Sequence, residues 1–205
     1  MSLKDRLLKV LPSLTDCSTN IQGSFFYIKD MKAIDGGIAQ IDCHSTDIAA
    51  VELCNPSSVT VDFYAFPDNA LVINPGKYES QCECVLFPEG SDQEEWVLFI
   101  ETKYADNLEN AQRKESGYPI KMVNQIKKTV AYFRQKNIIA QEKKVHAIVS
   151  FPTLYEGFDA WTFPIKYDDG TTESVEDILH DYNIHIRATN YATIKNRKRI
   201  KLACR

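Results

Sequence analysis

Glu83, Glu101 and Lys103 are the residues of this 205-residue chain whose types and spacing best suit chemistry. They stand in two strongly apolar runs, CECVLFP (82–88) and WVLFIETK (96–103), where acids are out of place. A carboxylate in such a run must be paired, coordinated or set at a strand end, because burying a free charge is costly. Side chains of an extended strand alternate between its two faces. Glu83, Val85 and Phe87 therefore share one face, and Val97, Phe99, Glu101 and Lys103 share one face of the following strand. With suitable register the two acids converge at one edge of a sheet, and Lys103 lies beside them. Converging carboxylates suit a hard divalent ion such as Mg2+ or Mn2+, which takes oxygen ligands. Such an ion makes bound water easier to deprotonate and polarises a phosphorus–oxygen bond. A neighbouring lysine can orient the water or stabilise charge developing on phosphate. The chemistry to expect is phosphodiester hydrolysis.

The elements that must hold these residues are legible in outline. Strand-like runs fill the first third (GSFFYI, GIAQIDCH, SSVTVDFYAF, NALVINP), separated by turn signals at 35–37, 55–58, 67–69 and 74–77. The stretch STDIAAVELC (45–54) reads as a short helix capped by Ser45 or Thr46 and ended by Asn55-Pro56. YESQCECVLFP and EEWVLFIETKYA read as two strands of an antiparallel hairpin. After a polar stretch, Met122, Ile126, Val130 and Phe133 recur at three- or four-residue steps, which predicts a helix. KVHAIVSFP then reads as a buried strand. From Glu79 to Pro152 the expected order is strand, strand, helix, strand.

This order, with CECVLF, WVLFIETK and VHAIVSFP in it, resembles the core of the PD-(D/E)xK nuclease superfamily, the restriction-endonuclease-like fold. That core runs strand, acid-bearing strand, E-x-K strand, helix, strand, and the likeness spans about residues 78–152. The resemblance implies a mixed α/β (α+β) fold with a central mixed sheet flanked by helices, here with extra N-terminal strands and a C-terminal extension. It implies Glu83 and Glu101 as ligands of Mg2+ or Mn2+, Lys103 as the residue assisting the attacking water, and Gln125 as a supporting residue on the helix. The family often adds an upstream acid from its first helix, for which Glu52 is the candidate with Asp47 behind it. Glu79, of the same strand parity as Glu83, is another candidate contributor. Two positions depart from the pattern. Glutamate stands at 83 where aspartate is usual, and its longer arm matters for an ion as geometrically strict as Mg2+. Thr129 stands where one branch has a tyrosine four residues after the glutamine, while Tyr132 could share the face of Gln125. The implied function is metal-dependent hydrolysis of DNA. The alternative is a catalytically inactive module of the same fold that binds nucleic acid or a protein partner. A third reading is an α/β scaffold unrelated to nucleases. Dimers are frequent among enzymes of this type, so a homodimer is among the expectations.

Composition bounds the rest. With 44% hydrophobic residues, the chain suits a single domain over 1–205, with the nuclease-like core at 78–152 and an extension with a basic tail at 165–205. The net charge of −4 excludes a globally cationic polyanion binder, so any DNA contact must be local. Lys121, Lys127 and Lys128 could touch a DNA backbone or form a solvated helix face. Lys195, Arg197, Lys198, Arg199, Lys201 and Arg205 come with no acid among them, which suits either phosphate binding or a charged edge strand. His146 sits in an apolar run and reads as a packed core residue. His180 and His185 show no partner pattern, and 168–174 reads as a turn followed by a helix cap. Tyr155, Phe158, Trp161 and Phe163 could stack on bases or add a second layer of core. The six scattered cysteines read as reduced thiols, and their spacing does not suit structural zinc. No run approaches a membrane span, and the N-terminus lacks a signal-peptide core, so a cytoplasmic location is expected. That N-terminus reads as a short amphipathic helix ended by Pro12.

Overall fold

A computed structural model describes residues 1–32, 34–44, 48–105, 107–111, 117–154 and 158–202. The expectations for Ser45, Thr46, Asp47, Tyr155 and Arg205 lie outside the described residues. The described helices are α1 (Leu3–Val10), α2 (Leu108–Ala111), α3 (Ile120–Gln135), α4 (Phe158–Thr162) and α5 (Val175–Tyr182), with a 3-10 turn at Pro12–Cys17. The strands in the first half are β1 (Ser18–Ile21), β2 (Phe25–Lys29), β3 (Gln40–Asp42), β4 (Val51–Cys54), β5 (Val61–Ala65), β6 (Val72–Asn74) and β7 (Lys77–Tyr78). Those that follow are β8 (Cys84–Pro88), β9 (Leu98–Thr102), β10 (Val145–Ser150), β11 (Ile165–Lys166), β12 (Thr172–Glu173), β13 (Ile184–Ala188), β14 (Tyr191–Asn196) and β15 (Arg199–Leu202).

The protein is mixed α/β. A six-stranded sheet runs β1-β5-β8-β9-β10-β13, and a five-stranded sheet runs β15-β14-β4-β2-β3. In the larger sheet β5, β8 and β9 are antiparallel neighbours, whereas β9, β10 and β13 are parallel. Parallel neighbours need a long crossover, and α3 lies in the connection between β9 and β10. The expected order of strand, strand, helix, strand is present as β8, β9, α3 and β10. No described helix is long and apolar enough to cross a membrane.

Alternation in β8 and β9 feeds two separate cores. Val85, Phe87, Val97 and Phe99 pack with Met122, Ile126, Val130 and Phe133 of α3. Cys84, Leu86, Leu98 and Ile100 pack instead with Phe26, Ile28, Val51 and Leu53 of the five-stranded sheet. Both strands are buried along their whole length, which explains their near-continuous apolar sequence. The stripe on α3 meets β9 edge-on, with the Phe99 and Phe133 rings 5.2 Å apart at 81°.

The N-terminal helix forms as expected. Ser2 and Asp5 close a capping box on α1, Leu3 and Leu7 are buried, and Pro12 opens the 3-10 turn. Ser174 and Asp177 cap α5 in the same way. The expected helix over 45–54 does not form in its described part: Val51–Cys54 is a strand. Its backbone is claimed on both sides, by β2 and by β14, and these ladders outweigh a weak local helical preference. Phe158 is buried, and Trp161 and Phe163 are partly buried against the helix-side core, so these aromatics form a packing layer. Among the described residues Cys17, Cys43, Cys54, Cys82 and Cys84 are free thiols.

Candidate active site

The antiparallel register of β8 and β9 pairs Leu86 with Leu98, Val85 with Phe99 and Cys84 with Ile100. One step beyond the ladder, Glu83 stands across from Glu101. The Glu83 backbone is fixed on both sides. Its N–H donates to Ile100 O at 3.0 Å, and its carbonyl accepts from Phe66 N–H at 2.9 Å. Lys103 follows β9, and its N–H donates to Ser150 O of β10 at 3.0 Å. All three side chains share the face that α3 covers, and the central sheet holds all three backbones.

One lysine spans the two acids. Lys103 Nζ donates to Glu83 Oε1 in a short hydrogen bond and lies 3.0 Å from Glu101 Oε1. The second contact is an ion pair poorly aimed for a hydrogen bond. Among the described residues neither oxygen of Glu101 has a hydrogen-bond partner, although Glu101 has no exposed surface. Burial pushes the Glu101 carboxyl up to about 8, Lys103 works against that, and Glu83 and Asp30 add to it. For Lys103, burial favours the neutral amine, but Glu101 and Glu83 outweigh it and hold the ammonium charged.

Helix α3 braces the approach to β8. Thr129 Oγ accepts from Cys82 N–H at 2.9 Å and donates to Gln125 O at 2.8 Å. Gln125 Nε2 donates to Gln81 O at 2.7 Å, while its Oε1 is buried without a partner among the described residues. Gln125 and Thr129 thus both hold the backbone leading into Glu83. Tyr132 does not share that role, because its hydroxyl donates to Val72 O at 3.0 Å.

The structure also places residues here that sequence reasoning missed. Asp30, just past β2, is 3% exposed and bears electrostatically on Glu101, Cys84 and Tyr118. Lys32 feels the charges of both Glu83 and Lys103 while pairing with Asp68 at 2.6 Å. Burial raises the Tyr118 hydroxyl, and Lys103, Glu101, Glu83 and Asp30 all act on it. Asp30 carries no motif and arrives from the other sheet, so only tertiary packing reveals it.

Other candidates stand elsewhere. Glu52 is on β4, where Val51 and Leu53 turn into the core between the sheets. Glu52 therefore faces the opposite side of its sheet and is not brought to Glu83 and Glu101. The correction follows from the strand that replaces the expected helix. Glu79 pairs with Lys128 at 3.3 Å. Lys121 and Lys128 are exposed, whereas Lys127 is tied to Glu173 at 2.8 Å and lies over the Tyr182 ring.

Lys195, Arg197, Lys198 and Arg199 are exposed around the β14–β15 turn. Trp96 Nε1 donates to Asn196 O at 3.0 Å, which puts this turn beside the start of β9. Glu101 lies at the other end of that strand, about 17 Å away at roughly 3.3 Å per residue. The basic tail and the acidic cluster are not brought together. Arg197 is already engaged by Glu89 O at 2.8 Å and Glu95 at 3.6 Å. A cavity of about 360 Å³ opens at the same end, lined by Glu94, Glu95, Trp96, Lys143, His146 and Lys198 among others. His146 pairs in register with His185, their Nδ1 atoms 3.2 Å apart. Burial lowers His146 to about 4, and the charges of His185, Lys144 and Lys143 add to that.

One further group could hold a metal ion. Asp42, Cys43 and His44 bring one ligand atom each to within 4.8 Å of one another. Comparison with family models, with curated proteins and with solved structures returns no match.

Proposed function

We propose that the chain is a metal-dependent nuclease that hydrolyses DNA phosphodiester bonds at Glu83, Glu101 and Lys103. The observation that carries this reading is the meeting of two acids on neighbouring strands, with one lysine across both. The order β5, β8, β9, α3, β10 supports a restriction-endonuclease-like core, because it repeats that core's strand, acid-bearing strand, E-x-K strand, helix and strand. On this reading the core begins near Val61, upstream of Tyr78.

The residues present fit Mg2+ or Mn2+. Glu101 is a buried carboxylate whose oxygens accept no hydrogen bond among the described residues and whose one close cation is Lys103, and oxygen is what a hard cation takes. Glu83 and Glu101 would hold the ion, and Asp30, whose charge acts on Glu101, would add to the negative field around it. When bound, it would supply Lewis-acid polarisation of the phosphoryl group and a more acidic water. Lys103 holds its proton firmly and presents positive charge where charge on phosphate grows. Gln125 and Thr129 act through the backbone, holding the strand entry that carries Glu83. A Mg2+- or Mn2+-dependent cleavage assay on linear, nicked and single-stranded DNA tests the reading. Cleavage is lost in Glu101→Ala and in Lys103→Ala. Cleavage unchanged by both substitutions removes this site from consideration.

The alternative, an inactive module of the same fold, draws on the same ion pairs. Lys103 already neutralises part of the acidic charge from within the chain. It predicts no isotherm with millimolar Mg2+ in calorimetry, and a clear isotherm counts against it.

A further inference from the structure

The loop after β3 offers ligands of a different chemical class. Asp42 closes β3, pinned across from Tyr27 of β2. The chain bends at Cys43 and His44, which ends the alternation that would send the three side chains to opposite faces. The His44 N–H donates to Asp42 Oδ1 at 2.9 Å and holds the bend closed. Cys43 is partly buried against the core between the two sheets. Gly23 makes room for it: a Cβ there would come within 3.1 Å of the Cys43 Cβ. The thiol is therefore anchored by the fold, with the carboxylate and the imidazole on its solvent side.

Two of the three ligand separations fit a metal polyhedron, and all three ligand atoms lie within 4.8 Å of one another. Cys43 Sγ is 3.5 Å from His44 Nδ1, and His44 Nδ1 is 3.2 Å from Asp42 Oδ1. Tetrahedral zinc, with bonds of about 2.3 Å to sulfur and about 2.0–2.1 Å to nitrogen or oxygen, has edges of about 3.5 Å and about 3.3 Å. One thiolate, one imidazole and one carboxylate are a borderline-soft set that selects transition metals over Mg2+.

We propose that Asp42, Cys43 and His44 form a three-ligand site for a divalent transition-metal ion of the zinc class, its fourth position open to solvent. Binding displaces the Cys43 thiol proton to solvent and leaves the carboxylate and the neutral imidazole as the other two donors. The site is separate from Glu83 and Glu101, and its ligand class differs, so the two metal readings stand or fall independently.

Titration of the full chain with Co2+, followed in the near ultraviolet, tests the proposal, because a thiolate-to-cobalt band reports sulfur ligation directly. The band grows to one equivalent, Zn2+ abolishes it and Mg2+ does not. Cys43→Ser removes it, whereas Cys17→Ser, Cys54→Ser and Glu101→Gln leave it intact. His44→Ala weakens Co2+ affinity by more than the roughly 10- to 100-fold that loss of an outer-shell partner costs. Its side chain is largely exposed, so this variant keeps the fold. No band in the native chain, or a band that survives Cys43→Ser, overturns the site.

Discussion

Lys103 and Glu101 stand 3.0 Å apart as an ion pair in which the carboxylate has no exposed surface and no hydrogen bond among the described residues. A buried pair of this kind stabilises little, because loss of hydration offsets most of the attraction. Its geometry suits binding a cation better than holding the fold together.

Glu101→Gln is therefore expected to stabilise the metal-free protein while abolishing metal-dependent cleavage. The amide removes a buried charge and leaves Lys103 paired with Glu83. The gain is about 1–2 kcal/mol, within the range seen when buried charges are replaced. Urea unfolding at pH 8 in a chelator measures it, and a lower midpoint for the variant contradicts the expectation.

The pH dependence of stability carries the same signature. Glu101 goes from an ordinary 4.5 to about 8 in the fold. Between those values the native state keeps a proton that the unfolded chain has lost, so stability falls as pH rises. His146, lowered from 6.5 to about 4, acts the other way, as the unfolded chain takes up a proton that the native state refuses. His185 is lowered too and acts with it. The contributions oppose each other below pH 6.5, and above it the fall from Glu101 remains. Thermal unfolding from pH 6.5 to 8 should show a decline of at most about 1.4 kcal/mol per pH unit, flattened in Glu101→Gln. A rise across that window in the native chain contradicts the assignment.

Thr129→Val tests the brace on α3. It keeps shape but leaves the buried Cys82 N–H without its acceptor. The expected cost is about 1–3 kcal/mol, read from the urea midpoint. Cleavage falls as well, because the strand entry that carries Glu83 loosens. Activity held at the native level would show that Glu83 needs no support from this helix.

The basic turn is expected to affect binding and spare chemistry. With Lys198→Ala and Arg199→Ala combined, DNA affinity falls. Its dependence on log salt weakens by about 0.9 for each phosphate that the variant no longer neutralises. Single-turnover cleavage at saturating protein stays unchanged, since both residues lie at the far end of β9 from Glu101. A salt slope identical to that of the native chain removes this turn from the DNA interface.

Much of the site is legible in sequence because strand parity is a local rule. Glu101 and Lys103 share a face in any strand reading of their segment, Glu83 joins them only through the register of β8 and β9, and the apolar residues around them announce burial. Gln125 is picked out by the resemblance and not by the period of α3, and the bond from Cys82 N–H to Thr129 is seen only in the structure. Asp30 and Glu52 mark where local reading ends. Glu52 reads as helical because 45–54 carries no decisive period, and β2 and β14 decide the matter from either side. Asp30 ends an ordinary strand of the second sheet, and its approach to Glu101 depends on how two sheets stack. The basic tail is legible as charge, but its distance from the acids depends on where the β14–β15 hairpin docks.

Strand β9 and the residue before it turn Val97 and Phe99 into one core and Leu98 and Ile100 into the other. This segment is a party wall between two compartments, and neither can empty without exposing the wall to water. The chain should therefore melt as one cooperative unit, with calorimetric and van't Hoff enthalpies equal. The strand that presents Glu101 belongs to the last structure to open, which keeps the acidic cluster assembled through every smaller fluctuation of the surface.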